Sequence, residues 1–261
     1  EKVDDISLKS TSCNPIQEAR KQNIDKDDDD IKFIKEEISL EDRFVLPNKI
    51  DVNGEMIETP KIRIVNMCAS ADLGVNVNAV DVVSKYIHSE LIIKGKVVLL
   101  KLPSPDSHIK AQVSEMGKVK VFGSQSFEEA FYFTRLFCSI VHHCIGCGSF
   151  ENYSILNIVA GVSLSFPLDL KEIAQNYRQK KDTSLYSHQF DGNNSNSENQ
   201  ENFELSYQPE VFSCLYVKIK SPAVLCKLFA NGSVSMMGAR SMEDCFEVLK
   251  QILRMLKLPS K

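Results

Sequence analysis

The segment His142-His143-Cys144-Ile145-Gly146-Cys147 contains the residue types that most often bind a metal ion. A structural zinc site needs four ligands, normally from two paired clusters, and the sequence has no second Cys-x-x-Cys pair. A helix that ends in a glycine turn accounts for the same residues, and we favour that interpretation. The sequence therefore predicts no metal site and no cofactor.

No other pattern indicates catalysis. His108, His142 and His143 lack a neighbouring serine, cysteine or carboxylate pattern that would form a nucleophile with its base. The GxGxxG, P-loop and HExxH motifs are also missing from the sequence. We therefore expect a protein that binds a partner, and not an enzyme.

Charge is unevenly distributed along the 261 residues, which are 43% hydrophobic and 25% charged. The first 60 residues carry 9 basic and 16 acidic side chains, a net charge of −7 that includes Asp27–Asp30. Residues 178–205 are rich in Asn, Ser and Gln and have a net charge of −2. The composition predicts an acidic, disordered leader over residues 1–59 and a solvated insertion over 178–205. The remaining, periodic part of the chain is then mildly basic.

Apolar runs and cysteines limit the class of protein further. No apolar run approaches the roughly 20 residues that span a membrane, so no membrane partner is expected. The eight cysteines are too dilute for a disulfide framework, and most of them stand in apolar, periodic segments. They are typical of small buried side chains in a reducing compartment.

An internal repeat is the strongest pattern in the sequence. Residues 66–74 align with 157–165 at an offset of 91, and residues 118–131 align with 233–246 at an offset of 115. The difference is close to the length of the polar insertion, which therefore lies inside the second copy. We assign residues 60–150 to a first repeat and residues 151–261 to a second repeat.

Each repeat has the same order of predicted elements. A strand is followed by a short helix, three strands and a long amphipathic helix, which begins after Ser126 or Ser241 with acidic residues in its first turn. Met116-Gly117 and Asn231-Gly232 are typical hairpin turns. Two such units predict an α+β fold in which helices cover one face of an antiparallel sheet. The other face is left for solvent or for a partner.

The second repeat holds the most specific motifs. They are Ser206-Tyr-Gln-Pro-Glu-Val-Phe212, Lys227-Leu-Phe229-Ala-Asn-Gly232, Met237-Gly238-Ala-Arg240 and, at the start of the repeat, Asn157-Ile-Val159. These motifs resemble the TATA-box-binding protein family, and the resemblance extends over about residues 60–257. It implies a pseudo-symmetric saddle of two repeats, a curved antiparallel sheet of ten strands with its helices on the convex face. The first repeat matches mainly in Asn66, Leu73-Gly74 and Gly117-Lys118.

The resemblance implies a nuclear transcription initiation factor that binds and bends A·T-rich promoter DNA. Proteins of this family insert apolar side chains between base steps in the minor groove. The residues that the resemblance places at the DNA are Asn66, Cys68, Asn157, Val159, Phe212, Leu225, Phe229, Ser235, Met237, Lys101, Lys118 and Lys218.

The resemblance also implies a role for each group of these residues. Asn66 and Asn157 are the central amides, and Phe212 and Phe229 are the pair that wedges open a base step. The three lysines meet phosphates, which adds affinity without sequence information. Gln208, Glu210 and Val211 form the surface where transcription factor IIB docks in the family.

The first repeat departs from the family pattern. Gly95 and Ser114 stand where wedge residues are expected, unless the alignment slips by two residues and Ile93 takes that place. Lys110, Gln112 and Lys120 occupy positions that are usually small or apolar. We therefore expect a DNA kink on one side only, with weaker and more salt-dependent binding. The alternative is a relative that binds DNA weakly or not at all and acts as a protein-interaction adaptor in transcription.

Overall fold

The computed structural model describes residues 45–94, 96–104, 106–187 and 202–256. Within them the chain forms twelve strands: β1 (Lys49–Val52), β2 (Glu55–Glu58), β3 (Ile62–Asp72), β4 (Ser89–Ile92), β5 (Val97–Lys101), β6 (Lys110–Ser114), β7 (Lys118–Ser124), β8 (Glu151–Ser163), β9 (Phe203–Tyr207), β10 (Cys214–Ile219), β11 (Val224–Phe229) and β12 (Ser233–Ala239). The helices of the described residues are α1 (Ala79–Lys85), α2 (Phe127–Ile145), α3 (Leu170–Ser187) and α4 (Met242–Leu256).

Ten of the strands form one antiparallel sheet in the order β4-β5-β6-β7-β3-β8-β12-β11-β10-β9. Each repeat supplies five strands, and the order of the first repeat is mirrored in the second. The two repeats meet where their first long strands, β3 and β8, pair with each other. This arrangement confirms the predicted α+β saddle with two pseudo-symmetric halves.

All four helices lie on one face of the sheet. The side chains along each strand alternate between this buried face and a more exposed one. In β11, for example, Val224, Cys226 and Leu228 are buried, whereas Leu225 and Phe229 are only partly covered. The buried residues of β5 to β7 pack with α2 around Phe137, and those of β10 to β12 pack with α4. The opposite face carries no helix of the described chain, and we call it the concave face.

The two long helices begin as the sequence predicts. Ser126 Oγ accepts a hydrogen bond from the backbone N–H of Glu129 at 3.1 Å, and Ser241 Oγ accepts one from that of Asp244 at 3.1 Å. The carboxylates of Glu129 and Asp244 in turn accept hydrogen bonds from the backbone N–H groups of Gln125 and Arg240, the residues that precede the two caps.

The assignment of residues 1–59 to a disordered leader is wrong for its described end. Residues 49–58 form a hairpin, β1–β2, in which Ile50 and Val52 are almost fully buried in the core of the second repeat beside α4. Apolar and charged residues alternate in this short segment, but the acidic composition of the sequence around it favours a prediction of disorder. The acidic run Asp27–Asp30 lies outside the described residues.

The polar insertion is also shorter than predicted. Helix α3 continues to Ser187, and strand β9 begins at Phe203, so both ends of the segment 178–205 belong to regular elements. Periodicity alone does not indicate the edge strands β4 and β9, although the family resemblance implies ten strands. None of the helices in the described parts of the chain is long and apolar enough to cross a membrane.

Candidate nucleic-acid interface

The centre of the concave face is formed by two cross-strand pairs between β3 and β8. Asn66 lies opposite Val159, and Cys68 lies opposite Asn157. The two pairs are related by the pseudo-twofold relation between the repeats. The structure thus brings together the four central residues that are expected at the DNA.

Each central asparagine is held by a glycine bulge in the neighbouring strand. Gly123 in β7 and Gly238 in β12 are skipped in the strand register and have φ angles of 105° and 114°. A side chain would not fit there, because a Cβ atom would lie 2.7 Å from the carbonyl oxygen of His108 or 2.8 Å from that of Ala223. Only glycine therefore fits at these two bulges without strain.

The bulges fix the orientation of the asparagine amides. The N–H of Gly123 donates to Asn66 Oδ1 at 2.9 Å, and the N–H of Gly238 donates to Asn157 Oδ1 at 2.8 Å. Because a backbone N–H can only donate, the amide oxygen must face it, and the Nδ2 group is directed away from that bond. None of the described residues accepts a hydrogen bond from either Nδ2. The centre of the concave face therefore presents two sets of unused donors.

The second repeat places a row of apolar side chains beside this centre. Leu225 lies opposite Met237, and Met237 in turn lies opposite Val159. Farther out, Phe229 is partly covered, and the side chain of Phe212 is 54% exposed in the loop after β9. Ser235 lies between these groups, opposite Lys227. An exposed phenylalanine next to an apolar floor suits contact with flat, apolar surfaces such as exposed base faces.

The three lysines expected at phosphates have different surroundings. Lys118 and Lys218 are exposed and have no ion-pair partner in the described part of the chain. Lys101 lies on the same face but forms an ion pair with Glu90, with 3.1 Å between Nζ and Oε2. Both side chains of this pair are about half exposed, so the pair adds little stability and its lysine can exchange partners.

The structure adds two aromatic residues that are not among those expected at the DNA. Phe122 occupies the first-repeat position equivalent to Met237 and lies opposite both Lys110 and Cys68. Tyr216 projects from β10 on the same face as Lys218 and packs edge-to-face against Phe212. Both could have been found in the sequence. Successive side chains of a strand point to opposite faces, and each aromatic residue is an even number of positions from an expected DNA-contacting lysine in β7 or β10.

Cys68 is the ionisable group at the centre of this face. It is partly buried, and burial raises the pKa of its thiol, whereas the positive charge of Lys120 lowers it. The net shift is upward, so the thiol stays neutral at physiological pH. Cys68 therefore acts as a small apolar residue that stands where its counterpart in the second repeat is Val159.

The loop between β9 and β10 contains the residues expected to bind a partner protein. The carbonyl oxygen of Gln208 accepts hydrogen bonds from the N–H groups of Val211 and Phe212, at 3.0 and 2.9 Å. This turn leaves Glu210 and Val211 exposed to solvent. The loop thus presents one acidic and one apolar side chain at the rim of the second repeat.

The wedge positions of the first repeat can be located from the strand register. Ser114 lies opposite Val97 in the first repeat, and Phe229 lies opposite Cys214 in the second. By this register Ser114 occupies the position equivalent to Phe229. Gly95, the other residue aligned with a wedge position, lies outside the described residues. Ile93 is 64% exposed with a φ of 51°, in a loop of four residues where the second repeat has six.

The histidine and cysteine segment ends a helix, as expected. Gly146 has a φ of 77° and caps α2, and its N–H donates to the carbonyl oxygen of His142. His142 and His143 bond through Nδ1 to the carbonyl oxygens of Gly148 and Ser139. Among the described residues, no three His, Cys, Asp or Glu side chains are placed to hold a metal ion.

Comparison with known proteins relates both the sequence and the fold to one family. Residues 194–258 match the family model of transcription factor TFIID, or TATA-binding protein. A TBP-related factor of Drosophila melanogaster is 26% identical over 197 residues, which cover 74% of this chain and 76% of that protein. The TATA-box-binding protein-like 1 of Entamoeba histolytica is 23% identical over 84% of this chain and 89% of that one.

Other relatives are longer or are known as structures. The TATA box-binding protein-like 2 of Mus musculus is 26% identical over 160 residues, which cover 61% of this chain but only 39% of the mouse protein. This chain thus aligns with less than half of that relative. The solved structure of Methanococcus jannaschii TBP superimposes with a TM-score of 0.58 at 25% identity, over 76% of this chain and 99% of that one.

Proposed function

Because this chain is a divergent member of the TATA-box-binding protein family, we propose that it is a nuclear transcription initiation factor that binds and bends A·T-rich promoter DNA. The DNA lies against the concave face through its minor groove. The helices on the other face and the β9–β10 loop then remain open to other initiation factors. Family membership also argues against an enzyme.

The observation that carries this proposal is the orientation of the two central amides. A·T base pairs offer only hydrogen-bond acceptors in the minor groove, namely adenine N3 and thymine O2. Asn66 and Asn157 face the groove with donors, since their oxygens are already bonded to Gly123 and Gly238. The apolar row beside them, which begins at Val159, would leave no acceptor for the amino group of guanine. The centre of the face therefore matches an A·T-rich site.

Bending is assigned to the outer part of the second repeat. Phe212 and Phe229 lie on the same face as the amides, and Phe212 is exposed before any DNA is bound. Separating two stacked base pairs costs a few kcal/mol, which the inserted rings and the enlarged contact with bent DNA repay. Lys118 and Lys218 hold phosphates on either side of the centre.

A titration of the full chain with end-labelled duplexes tests this function. We expect tighter binding to a TATA duplex than to a GC-rich duplex, with a shorter end-to-end distance measured by energy transfer. Phe212→Ala combined with Phe229→Ala should abolish the shortening, whereas Tyr132→Ala, at an exposed aromatic residue on α2, should not. Equal binding of both duplexes without shortening contradicts the proposal.

The surface proposed for transcription factor IIB is the loop containing Gln208, Glu210 and Val211. An exposed carboxylate beside an exposed valine suits a basic partner surface with an apolar centre. Glu210→Arg should weaken binding of transcription factor IIB to the preformed DNA complex and leave DNA affinity itself unchanged or slightly increased. Unchanged binding of transcription factor IIB would contradict this assignment.

An adaptor that does not bind DNA is the second candidate function. It is favoured by the first repeat, where Ser114 replaces a wedge residue and Lys110 and Lys120 lie on the floor of the concave face. This candidate predicts that the chain binds transcription factor IIB without DNA and that no duplex competes. The same titration separates the two functions, because only the first gives a TATA preference.

A further inference from the structure

The β1–β2 hairpin is a two-stranded sheet that no other strand of the described chain extends. Its turn, Asn53-Gly54, has φ angles of 55° and 88°, which are typical of the type I′ turn of a tight hairpin. Ile50 and Val52 anchor β1 in the core of the second repeat, where β1 contacts α4. Because the core holds the hairpin in place, the outer edge of β2 is formed before any ligand binds.

The hydrogen bonds of the hairpin show which backbone groups of β2 are unused. The N–H of Thr59 donates to the carbonyl oxygen of Asn48 at 2.9 Å. Bonded and non-bonded pairs alternate along an antiparallel ladder, so every second residue back from Thr59 bonds to β1. The residues between them, Met56 and Glu58, direct their N–H and C=O groups away from β1. No group of the described residues bonds to these amides, so the edge offers two donors and two acceptors to a further strand.

The side chains along this edge combine acidic and apolar groups. Glu55 and Glu58 are exposed, and no basic side chain of the described residues forms an ion pair with either. Between them, Met56 is 60% exposed and Ile57 is partly buried. Lys49 lies opposite Glu58 in β1 and offsets part of the negative charge. The edge therefore presents an apolar pair between two acidic residues.

The charges of the hairpin limit what can bind to it. Pairing of two β2 edges from two copies of this chain would bring four glutamates together on neighbouring strands, where like charges repel each other. The outer edge of β1 presents Lys49 and Asp51, one charge of each sign, and belongs to the strand that contacts α4. The edge of β2 is thus the more open of the two, and it favours a ligand with basic side chains.

We propose that the outer edge of β2 binds an extended segment of a partner protein, which adds a third, antiparallel strand to the hairpin. In this mode of recognition the main chain provides affinity and the side chains provide specificity. The segment that fits has two adjacent apolar residues, opposite Ile57 and Met56, between basic residues opposite Glu58 and Glu55. The hairpin lies beside α4 and leaves the concave face free. The inference goes beyond the proposed function and does not depend on DNA binding.

The test uses the full chain and the fluorescein-labelled peptide Thr-Lys-Val-Ile-Lys-Thr, whose isoleucine is expected opposite Met56. We expect saturable binding, measured by fluorescence anisotropy. N-methylation of the isoleucine nitrogen removes a donor to the carbonyl oxygen of Met56, so affinity should fall roughly tenfold. N-methylation of the valine nitrogen, which faces away from β2, keeps the same peptide charge and should leave affinity unchanged. Equal losses for the two peptides, or no binding of the parent peptide, would overturn the inference.

Charge variants of the hairpin test the specificity. Glu55→Lys with Glu58→Lys should weaken binding of the peptide roughly tenfold, because two attractive contacts become repulsive. Glu115→Lys with Glu128→Lys makes the same charge change at exposed carboxylates of the first repeat and should leave affinity unchanged. Equal effects of the two pairs would mean that net charge alone attracts the peptide, which contradicts the proposed strand addition.

Amide hydrogen exchange of the full chain, measured by NMR, locates the added strand. The peptide should slow exchange at Met56 and Glu58 by roughly tenfold or more, because their N–H groups become bonded. Lys49 and Asp51, at the other edge of the same hairpin, are the internal control and should not change. Slow exchange at Met56 without peptide would show that a second copy or another segment already occupies the edge, and protection of Lys49 and Asp51 instead would place the ligand on β1. Either result would overturn the inference and leave the proposed function intact.

Discussion

Asn157 accepts a hydrogen bond through Oδ1 from the backbone N–H of Gly238 at 2.8 Å, although the two residues are 81 positions apart in the chain. Asn66 and Gly123 repeat the relationship in the other half. A bulge that needs glycine thus releases one backbone donor, and that donor orients the amide placed at the centre of the concave face. The irregularity in the strand therefore orients the amide that the proposed function places at the DNA.

The variant Asn157→Asp separates these two roles. The new carboxylate would still accept the bond from Gly238, but it has no donor for the groove and adds a negative charge there. We expect DNA affinity to fall at least tenfold, in line with about 1–3 kcal/mol for a base contact, while stability changes by less than about 1 kcal/mol. Fluorescence anisotropy and urea unfolding measure the two effects.

The matched control for this variant is Asn78→Asp. Asn78 caps α1 by accepting from the N–H of Val80, and aspartate caps a helix equally well. The control makes the same charge change away from the concave face. If both variants reduce DNA affinity by the same factor, net charge and not the amide explains the loss.

A second prediction concerns Gly238. Gly238→Ala adds a Cβ atom 2.8 Å from the carbonyl oxygen of Ala223 at a residue with a positive φ, so both strain and a clash oppose folding. We expect a loss of roughly 2–4 kcal/mol in the free energy of unfolding. Urea unfolding monitored by circular dichroism measures it.

Gly146→Ala is the control, since Gly146 also has a positive φ but no atom from a more distant part of the described chain lies within 4 Å of the point where its Cβ would stand. It should cost only about 1–2 kcal/mol, the penalty of the left-handed conformation alone. Equal losses at the two glycines would mean that the close approach at Gly238 does not matter.

The third prediction concerns the β1–β2 hairpin. Ile50 is 2% exposed in the core beside α4, so Ile50→Ala should lower the free energy of unfolding by about 2–4 kcal/mol. Met56→Ala, at an exposed position of the same hairpin, should change it by less than about 0.5 kcal/mol. A negligible effect of Ile50→Ala in chemical denaturation would show that the hairpin does not contribute to the core.

The fourth prediction concerns alkaline pH. Burial raises the pKa of the thiols of Cys226 and Cys245 from 9.0 to about 12. Above pH 9 the unfolded chain releases these protons and the folded chain retains them, so stability should fall as pH rises from 9 toward 12. Well below that range both states hold the protons, and the effect is absent.

A comparison with Cys226→Ala isolates the thiol from other groups that titrate in this range. The variant should be less stable near neutral pH, because a buried side chain becomes smaller, but it should lose less stability as the pH rises into the alkaline range. Urea midpoints at a series of pH values provide the test. Parallel pH profiles would show that Cys226 has no part in the alkaline loss.

Much of the fold is predictable because the repeat supplies each pattern twice. The helix starts at Ser126 and Ser241 depend on local capping, and the central strands depend on period-two alternation, so both are visible in sequence. Strands β4 and β9 are not, since each is short and lies at an edge of the sheet, where one neighbour and partial exposure leave little apolar alternation. The hairpin at residues 49–58 is hidden because charge dominates its composition, whereas its packing depends on the buried Ile50 and Val52 and the partly buried Ile57.

For the candidate site, the sequence predicts the positions of key residues but not the orientation of their side chains. Motif resemblance locates Asn157 and Phe212, but it does not reveal why the amide faces outward, because that depends on a bulge in a distant strand. Tyr216 and Phe122 escape prediction since the motifs that carry the resemblance attach no role to their positions. Their spacing from the lysines of β7 and β10 is visible in the sequence, and the strand register confirms that they share the concave face with those lysines.

The packing of the β1–β2 hairpin against α4 also constrains the order in which the molecule can fold. An isolated two-stranded hairpin is at best marginally stable in water. Its core contacts lie in a helix that follows the whole ten-stranded sheet in the chain. During synthesis the hairpin leaves the ribosome long before that helix, and its two buried side chains must wait exposed until the second repeat is complete. Docking of the hairpin is therefore a late step in folding, because it requires that both repeats have been synthesised and assembled.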